Sequence, residues 1–284
     1  MPELPEVETI VRGLRATIVG DTIVKVYVNA PPASIYVSDS FNPKDFACIL
    51  RGKKILSVTR RGKNILIHLS DSATLWVHLK MTGHFFYLKK TDPVDKHDLI
   101  IFDFESTLRK KQGWHLRFND PRRFGRHRLF YDYELEGRVG LADLGPEPLE
   151  ITASEFVDLC KKRRRMIKPA LLDQTFLAGL GNIYSDEALY YSKIHPKRET
   201  SSLSTKKLVE LHGNIQKILK RAIRLMGTSV DSYTGINGQS GQFQKYLRAY
   251  NNEGNPCDFC GTKIVRQRIG SRSTHFCPRC QRLR

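Results

Sequence analysis

The feature that most constrains the fold is a group of four cysteines near the end of the chain. Cys257 and Cys260 form one CxxC pair, Cys277 and Cys280 form a second, and residues 261–276 separate them. This spacing is typical of a tetrahedral four-cysteine zinc ribbon, and such clustering favours metal over disulfides in a cytosolic protein. The sequence therefore predicts a β-hairpin held by one structural zinc ion. Four thiolates would saturate the ion, so we expect no catalysis at the metal.

The charge of the chain indicates the class of its partner. The 284 residues include 47 Lys and Arg against 29 Asp and Glu, a formal net charge of +18. Such an excess predicts a polyanionic partner, with nucleic acid as the first candidate and a generally basic protein as the alternative. The cationic run 161–165, which includes Arg164, and nearby Lys168 favour phosphate binding, although such runs also occur as solvated faces.

Neither a long apolar stretch nor a signal peptide is evident in the sequence. A membrane-spanning helix needs ~18 consecutive apolar residues, and the N-terminal segment is acidic rather than cationic. We therefore expect a soluble, intracellular protein without membrane association. Cys48 and Cys160 lie in apolar surroundings and are expected to be buried thiols without a chemical role.

The first six residues, Met1-Pro2-Glu3-Leu4-Pro5-Glu6, contain a candidate nucleophile. Residue 2 is small enough to permit removal of the initiator methionine, which would leave Pro2 with a secondary amine. An α-amino group titrates near pH ~8, so part of it is nucleophilic at neutral pH. Its attack on an aldehyde-like carbon gives a cationic iminium, while Glu3 or Glu6 can donate a proton. The alternative is an ordinary helix start, with Pro5 in the first turn and carboxylates favoured by the dipole.

Hydrophobic periodicity in the first half predicts one amphipathic helix followed by an antiparallel sandwich. The helix runs from Pro5 to about Thr17 and ends before Gly20. The β-type segments are rich in Val, Ile, Phe and Tyr, and they cover residues 22–29, 55–69, 74–89, 98–105 and 114–131.

Three turns in this half carry more cationic character than a fold requires. They cover residues 60–64, which contain Lys63, residues 78–83 at a predicted hairpin tip, and residues 119–126. Met81 and Phe124 are unusual in such turns, because solvated tips rarely carry large apolar side chains. Apolar wedges flanked by arginine are typical of surfaces that kink DNA, whereas packing in a core is the alternative.

The second half changes to helical periodicity after a Pro- and Gly-containing linker at residues 134–150. Gly179 and Gly181 interrupt the helical pattern, which residues 185–189 resume. Free backbone N–H groups at a helix that begins just after such a Gly-rich turn can bind phosphate, whereas a tight helix–helix junction is the alternative. A long amphipathic helix covers residues 208–226. The polar segment 227–244 is either mobile or functional.

Taken together, the motifs PELPE, RRGK, HLKMTG, DPRRFG and GLGNIY and the four-cysteine tail resemble the bacterial formamidopyrimidine-DNA glycosylase family, which also contains endonuclease VIII. The resemblance runs from Met1 to the last cysteines. It implies an α+β multidomain fold: an N-terminal antiparallel β-sandwich with flanking helices, a helix-two-turn-helix domain and a four-cysteine zinc-ribbon hairpin. The implied ranges are a catalytic domain at 1–133, a linker at 134–150, a helical domain at 151–246 with a lesion-capping loop at 227–244, and a zinc finger at 247–284.

The resemblance also implies roles for individual residues, which fall into catalytic and DNA-contacting groups. Pro2 matches the nucleophile that attacks C1′ and forms the Schiff base, and Glu3 matches the acid that assists base release. Glu6 matches a carboxylate near the same centre, Lys63 a lysine of β-elimination, and Arg272 a candidate for δ-elimination. The DNA-contacting positions implied by family motif or by charge are His78, Met81, His97, Arg122, Phe124, Arg164, Lys168 and Asn182.

By this resemblance the chain would be a bifunctional glycosylase and lyase that excises oxidised purines such as 8-oxoguanine and formamidopyrimidines. Its partner would be double-stranded DNA with an oxidised base or abasic site, and it would act as a monomer in the bacterial cytosol. The alternatives are an oxidised-pyrimidine glycosylase of the endonuclease VIII type and a non-catalytic damaged-DNA-binding protein. Lys80 and Asn64 depart from the family pattern, which leaves the wedge geometry and substrate preference open.

Overall fold

A computed structural model gives the structure of most of the chain. It describes residues 1–29, 43–106, 112–131, 141–229 and 235–283. The chain forms two compact units, of which the first contains Met1–Ala142 and Met226–Gln242 and the second contains Asp143–Leu225 and Phe243–Arg284. Part of the predicted linker (134–140) and part of the predicted capping loop (230–234) lie outside the described residues, and the predicted domain boundaries stay a prediction.

The described residues of the first unit form two four-stranded antiparallel sheets and two α-helices, which agrees with the predicted sandwich. One sheet has the strand order β2-β3-β4-β8 and the other has the order β1-β6-β7-β5. The helices are α1 (Leu4–Ile18) and α2 (Pro43–Leu50). The strands are β1 (Thr22–Val28), β2 (Ile55–Arg61), β3 (Asn64–Leu69), β4 (Ala73–His78), β5 (His84–Lys89), β6 (Asp98–Glu105), β7 (Trp114–Asn119) and β8 (Arg126–Tyr131).

Helix α1 forms because its apolar residues recur at helical spacing on one stripe. Val7, Ile10 and Leu14 are buried in the core cluster that also holds the inward-facing residues of the strands. Arg15 Nε donates to the carbonyl of Val58 in β2 at 2.6 Å, which ties the exposed side of the helix to the same sheet. The helix is therefore anchored along its length, so its N-terminus has a defined position.

The predicted hairpin at residues 78–83 is wrong, because β4 and β5 belong to different sheets. The segment 79–83 crosses from one sheet to the other, and residues 120–125 cross back between β7 and β8. Alternating polarity predicts a strand but does not select the sheet in which it pairs. By contrast, β2 and β3 are joined by a hairpin, as expected for residues 60–64.

Residues 235–242 pack on the first unit although they follow the long helix of the second. The N–H of Tyr87 donates to the carbonyl of Ile236 at 3.0 Å. The Ile236 side chain lies so close to Gly13 of α1 that a Cβ at position 13 would collide with it. Glycine at position 13 therefore permits this segment to lie against the helix.

The described residues of the second unit form four α-helices, two short 3-10 helices and a small hairpin. The helices are α3 (Ala153–Lys161), α4 (Ile167–Leu172), α5 (Asn182–Tyr191) and α6 (Thr205–Arg224). The hairpin is formed by β9 (Val265–Ile269) and β10 (Arg272–Phe276). Among the described helices, none is long and apolar enough to cross a membrane. Cys160 is buried as expected, whereas the prediction for Cys48 is wrong because that side chain is exposed.

Candidate functional site

The strand register brings three turns of the first unit to one end of the sandwich. In one sheet Asn64 pairs with His78, and His78 pairs with Arg126, so the β2–β3 turn lies beside the ends of β4 and β8. In the other sheet His84 pairs with Asn119. The two crossing segments, which start and end at these paired residues, must therefore run side by side. The three cationic turns singled out from the sequence form one surface.

The N-terminal residues are held in place by a buried carboxylate. Pro2 is buried, and Glu3, which is the N-cap of α1, is only 3% exposed. The N–H of Glu3 donates to Oε2 of Glu6 at 2.8 Å, while Oε1 of Glu6 accepts the N–H of Thr228 at 2.8 Å. Glu6 thus joins the start of α1 to the segment after α6. In this geometry Glu6 links the candidate nucleophile to that segment.

Lys63 lies on the turn that follows β2, a strand that is tied to α1. An ion pair between Arg60 Nε and Glu8 Oε2 at 3.2 Å joins the first half of α1 to the end of β2. Lys63 follows in the β2–β3 turn and is 5% exposed. Lys63, Glu3 and Glu6 are therefore all buried, on elements that this ion pair connects.

His78 stands beside two lysines and is neutral at physiological pH. Burial, and then the charges of Lys80 and Lys63, lower the pKa of His78 to about 4. Its Nδ1 accepts the N–H of Lys80 at 2.9 Å. Because Nδ1 accepts, the neutral ring carries its proton on Nε2 and can donate from that atom. The predicted DNA contact of His78 would therefore be a hydrogen bond from a neutral ring.

We expect the stability of the first unit to fall in mild acid. Burial lowers the pKa of His127 to about 3, and the pKa of His78 is about 4. Below the unfolded value of about 6.5 the unfolded chain binds more protons than the folded chain, so acid favours unfolding. Each histidine should remove about 2 kcal/mol of unfolding free energy between pH 7 and pH 4.5.

Denaturant unfolding followed by tryptophan fluorescence measures this effect in the first unit alone, because the chain has two tryptophans and both Trp76 and Trp114 lie there. His127→Leu should unfold with a weaker pH dependence than the unchanged protein. An unaltered difference between pH 7 and pH 4.5 would contradict the assignment.

The predicted wedge residues are exposed and lie on the two crossing segments. Met81 is 45% exposed on the first segment, and Phe124 is 44% exposed on the second. The guanidinium carbon of Arg122 stands 4.9 Å from the centre of the Phe124 ring. Exposed apolar side chains beside a cation, on adjoining turns, fit insertion into a base stack better than packing in a core.

His97 lies on the loop before β6. The buried side chain of Arg117 holds this loop in place. The Arg117 guanidinium donates to the carbonyls of Pro93 at 2.6 Å and Asp92 at 2.7 Å, and it pairs with Asp98 at 3.1 Å. Nδ1 of His97 is 2.9 Å from an Asp95 carboxylate oxygen. The predicted DNA contact of His97 stays a prediction, but its loop is held by an internal ion pair that the sequence did not indicate.

Lys168 occupies an interior position in the second unit. Its side chain is fully buried, and Nζ contacts Asp186 Oδ1 at 2.6 Å and donates to the carbonyl of Asn182 at 3.0 Å. The other oxygen of Asp186 accepts the N–H of His275 at 3.0 Å. The structure therefore gives Lys168 an internal role in place of the direct phosphate contact expected from its charge. Arg164 is exposed, as a phosphate contact requires.

We expect Lys168→Met to destabilise the second unit. Removing one partner of a buried ion pair leaves the Asp186 carboxylate buried and unneutralised, which costs about 3–5 kcal/mol. Hydrogen exchange of α4 and α5 should show this loss without DNA. Arg164→Met is the matched control, because it removes an exposed cation of the same basic region and should leave exchange unchanged. Equal exchange in the two variants would contradict the internal role.

Asn182 and Arg272 are linked through the backbone of β10. Asn182 is the first residue of α5, and its Nδ2 donates to the carbonyl of Ser273 at 2.9 Å. Ser273 follows Arg272, which is exposed at the start of β10. Asn182, the expected DNA contact, and Arg272, the candidate for δ-elimination, therefore belong to one locally connected surface within the second unit.

The four cysteines of the tail fit a structural zinc ion. The sulfurs of Cys257, Cys260, Cys277 and Cys280 all lie within 4.8 Å of one another, and two of the residues are buried. Four thiolate ligands at this separation suit tetrahedral zinc and leave no position for a substrate. These residues would hold one ion, which supplies cross-linking of the hairpin rather than chemistry.

Helix α5 connects this tail to the helical core through residues that the sequence reasoning missed. The Tyr190 hydroxyl is 3.3 Å from the sulfur of Cys257 and accepts the N–H of Asp258 at 3.0 Å. Burial raises the pKa of Glu187 to about 7, although N–H groups of residues 248–250 donate to its carboxylate. The sequence did contain one signal for these residues: the polar and apolar residues of α5 do not separate onto two faces. Such a helix is buried on most sides, so Asp186 and Glu187 need partners inside the protein.

The two units together define a class of protein: a zinc-finger nucleic-acid-binding protein with a candidate amine nucleophile on a β-sandwich. Comparison with known families identifies the family within this class. Residues 1–127 match the formamidopyrimidine-DNA glycosylase N-terminal domain, residues 144–234 match its H2TH domain, and residues 254–283 match a zinc finger found in FPG and IleRS.

Individual relatives match over essentially their whole length. A formamidopyrimidine-DNA glycosylase of Pelotomaculum thermopropionicum is 43% identical over 286 residues, with 100% of each chain covered. A Lactococcus lactis FPG mutant in complex with Fapy-dG containing DNA is 34% identical with a TM-score of 0.89, over 99% of this chain and 100% of that one. MutM in complex with carbocyclic 8-oxo-G containing DNA gives the same identity, TM-score and coverage. This chain belongs to the formamidopyrimidine-DNA glycosylase family.

Proposed function

We propose that this chain is a DNA glycosylase and abasic-site lyase that removes oxidised purines from double-stranded DNA. The observation that carries the proposal is the anchored N-terminus, where Pro2 and Glu3 are buried beside Glu6 at the end of a firmly packed helix. A terminal residue normally frays. One that is held in place among carboxylates suits covalent catalysis by an amine.

The proposed reaction begins after removal of Met1, since only then is the Pro2 nitrogen an amine rather than part of a peptide bond. The nitrogen attacks C1′ of the damaged nucleotide, the bond between C1′ and the base breaks, and Glu3 assists departure of the base by proton transfer. The C1′–O4′ bond of the sugar then opens as O4′ takes up a proton, and the nitrogen remains bonded to C1′ as a cationic iminium. This iminium withdraws electrons from the sugar and makes the C2′ proton acidic. Loss of that proton expels the 3′ phosphate, with Lys63 assigned to this β-elimination. Arg272 is assigned to the δ-elimination that follows.

The substrate must leave the base stack before this reaction can occur. Extruding a nucleotide costs a few kcal/mol, and an inserted side chain can replace part of the lost stacking. Met81, Arg122 and Phe124 are placed to do this, since all three are exposed on the same surface. His78, His97, Arg164 and Asn182 are proposed to contact the DNA backbone, together with the excess positive charge of +18.

Oxidised purines are the proposed lesions because the solved relatives hold purine-derived lesions, Fapy-dG and carbocyclic 8-oxo-G. We further propose that the protein acts as a monomer in the bacterial cytoplasm, where chromosomal DNA is available. One zinc ion on the four tail cysteines completes the proposed enzyme.

A panel of duplexes tests the proposed function. Each duplex carries 8-oxoguanine, a formamidopyrimidine, thymine glycol or an undamaged base at one position. We expect base release and strand cleavage on the two purine lesions, with trapping of the protein on DNA by borohydride. Preference for thymine glycol would instead assign the oxidised-pyrimidine branch. Binding without cleavage or trapping would indicate a non-catalytic damage-binding protein.

A further inference from the structure

Asp120 is a buried carboxylate that joins the two crossing segments of the sandwich. It is fully buried (0% exposed) and directly follows β7. Its Oδ1 accepts the hydroxyl of Thr82 on the first segment at 2.5 Å, and its Oδ2 accepts the N–H of Gly125 on the second at 2.6 Å. A single side chain therefore ties together the segments that carry Met81 and Phe124.

The backbone and side chain of Asp120 make three further contacts nearby. Its Oδ1 also accepts the N–H of Arg122 at 3.2 Å, and its carbonyl accepts the N–H of Arg123 at 3.1 Å. Its own N–H donates to the carbonyl of His97 at 3.0 Å. Asp120 thus contacts all three segments of this unit that carry the candidate wedge residues and His97.

Backbone conformation and packing also restrict the two segments, in addition to these hydrogen bonds. Lys80 and Arg123 have φ values of +54° and +58°, in the left-handed region that few residues other than glycine adopt. An added Cβ would lie 2.7 Å from the Phe118 ring at Gly83 and 2.5 Å from it at Gly125. Both segments therefore rest against one aromatic ring, at positions where only glycine fits.

We propose that Asp120 is a positioning residue for lesion extrusion, which holds Met81, Arg122 and Phe124 at a fixed spacing before DNA arrives. This inference rests on the proposed function. Asp120 is itself buried and acts through the exposed residues. A carboxylate suits the position because it only accepts hydrogen bonds, and every polar group that meets its side chain is a donor. Fixing the spacing in advance removes ordering that would otherwise oppose insertion into the duplex.

The test uses variants that remove single bonds from this arrangement. Thr82→Val keeps the shape of the side chain but removes the donor to Asp120, and Thr82→Ser restores that donor. Asp120→Asn replaces one acceptor with a donor. Thr59→Val is the matched control, because Thr59 bonds His68 at 2.8 Å within the β2–β3 pair and has no place in the proposed site. Denaturant unfolding followed by tryptophan fluorescence shows which variants fold, and only those variants are assayed.

Each protein is assayed on two DNAs that carry the same 8-oxoguanine. In one the lesion is paired with cytosine, and in the other it faces a one-nucleotide gap, so that no partner base has to be separated. We expect Thr82→Val to lower kcat/KM about tenfold on the paired duplex, the effect of one hydrogen bond to a charged group. The value on the gapped DNA should change little. Thr82→Ser and Thr59→Val should match the unchanged protein on both.

A fluorescent base gives a second measurement that a general folding defect would not produce. 2-Aminopurine placed next to the cytosine opposite the lesion should brighten when the wedge enters, and Thr82→Val should reduce that signal. Unchanged kcat/KM and unchanged fluorescence in both Thr82→Val and Asp120→Asn would overturn the proposal, as would an equal loss on both DNAs. If the unchanged protein releases no base from either DNA, the proposed function itself fails.

Discussion

Removal of zinc is expected to abolish DNA binding while leaving the β-sandwich folded. The four cysteines that would hold the ion lie in the second unit, and the tail packs on α5 through Tyr190. Structural zinc contributes about 10–16 kcal/mol to the folding of small zinc fingers, so the hairpin should not persist without it. Arg272 would then lose its defined position, and Asn182 would lose its partner at Ser273.

Cys257→Ser provides the genetic form of this experiment, with Cys48→Ser as the matched control because Cys48 is exposed and lies in the first unit. We expect affinity for abasic-site DNA, measured by fluorescence anisotropy, to fall at least about a hundredfold in Cys257→Ser alone. Tryptophan fluorescence should report an unchanged unfolding midpoint for the sandwich. Full DNA affinity in zinc-free protein would contradict the role assigned to the hairpin.

Glu3→Gln is expected to separate base release from strand cleavage. Glu3 is buried at the start of α1, where its carboxylate is proposed to supply the proton that the departing base requires. General acid catalysis contributes about 10²–10⁴-fold to a rate. Single-turnover release of 8-oxoguanine should fall by this factor, because glutamine cannot donate that proton. Formation of the iminium at a ready-made abasic site should persist, since no base has to leave.

The control for this variant is Glu8→Gln, which neutralises another carboxylate of the same helix. Glu8 pairs with Arg12 and Arg60 and is not assigned to the chemistry. Borohydride trapping on abasic DNA, measured beside base release on 8-oxoguanine DNA, gives both activities from one preparation. Equal loss of the two activities in Glu3→Gln would mean that the substitution disturbs the amine rather than proton transfer.

The parts of this protein that could be predicted from sequence are those in which the chemistry is local. The spacing of Cys257, Cys260, Cys277 and Cys280 specifies a tetrahedral site, because nearby pairs of thiols can reach one ion. The stripe of Val7, Ile10 and Leu14 likewise specifies a buried helix face, which the structure confirms.

The parts that could not be predicted depend on partners distant along the chain. Lys168 has the charge of a phosphate ligand, and only the fold reveals that Asp186 neutralises it in the interior. Asp120 is the first residue of the motif DPRRFG, which by itself indicates no partner distant along the chain. Its bond to Thr82 depends on the two crossing segments lying side by side, which follows from strand order and not from either motif.

The attachment of the segment after α6 could not be predicted from the sequence either. The polar composition of this segment indicates only a loop, whereas its described residues are attached to the first unit by specific contacts. Ile236 packs against Gly13 and bonds Tyr87 through its carbonyl, while Thr228 bonds Glu6 through its N–H. Backbone hydrogen bonds carry no side-chain signature, so the sequence does not reveal this attachment.

In the proposed reaction the nitrogen of Pro2 becomes bonded to the sugar of the damaged nucleotide. Borohydride reduction during reaction with 8-oxoguanine DNA, followed by proteolysis and mass spectrometry of the cross-linked peptide, tests it most directly. We expect a peptide that begins at Pro2, lacks Met1, and carries the reduced sugar on its terminal nitrogen. A cross-linked peptide that retains Met1, or that carries the sugar on Lys63, would contradict it.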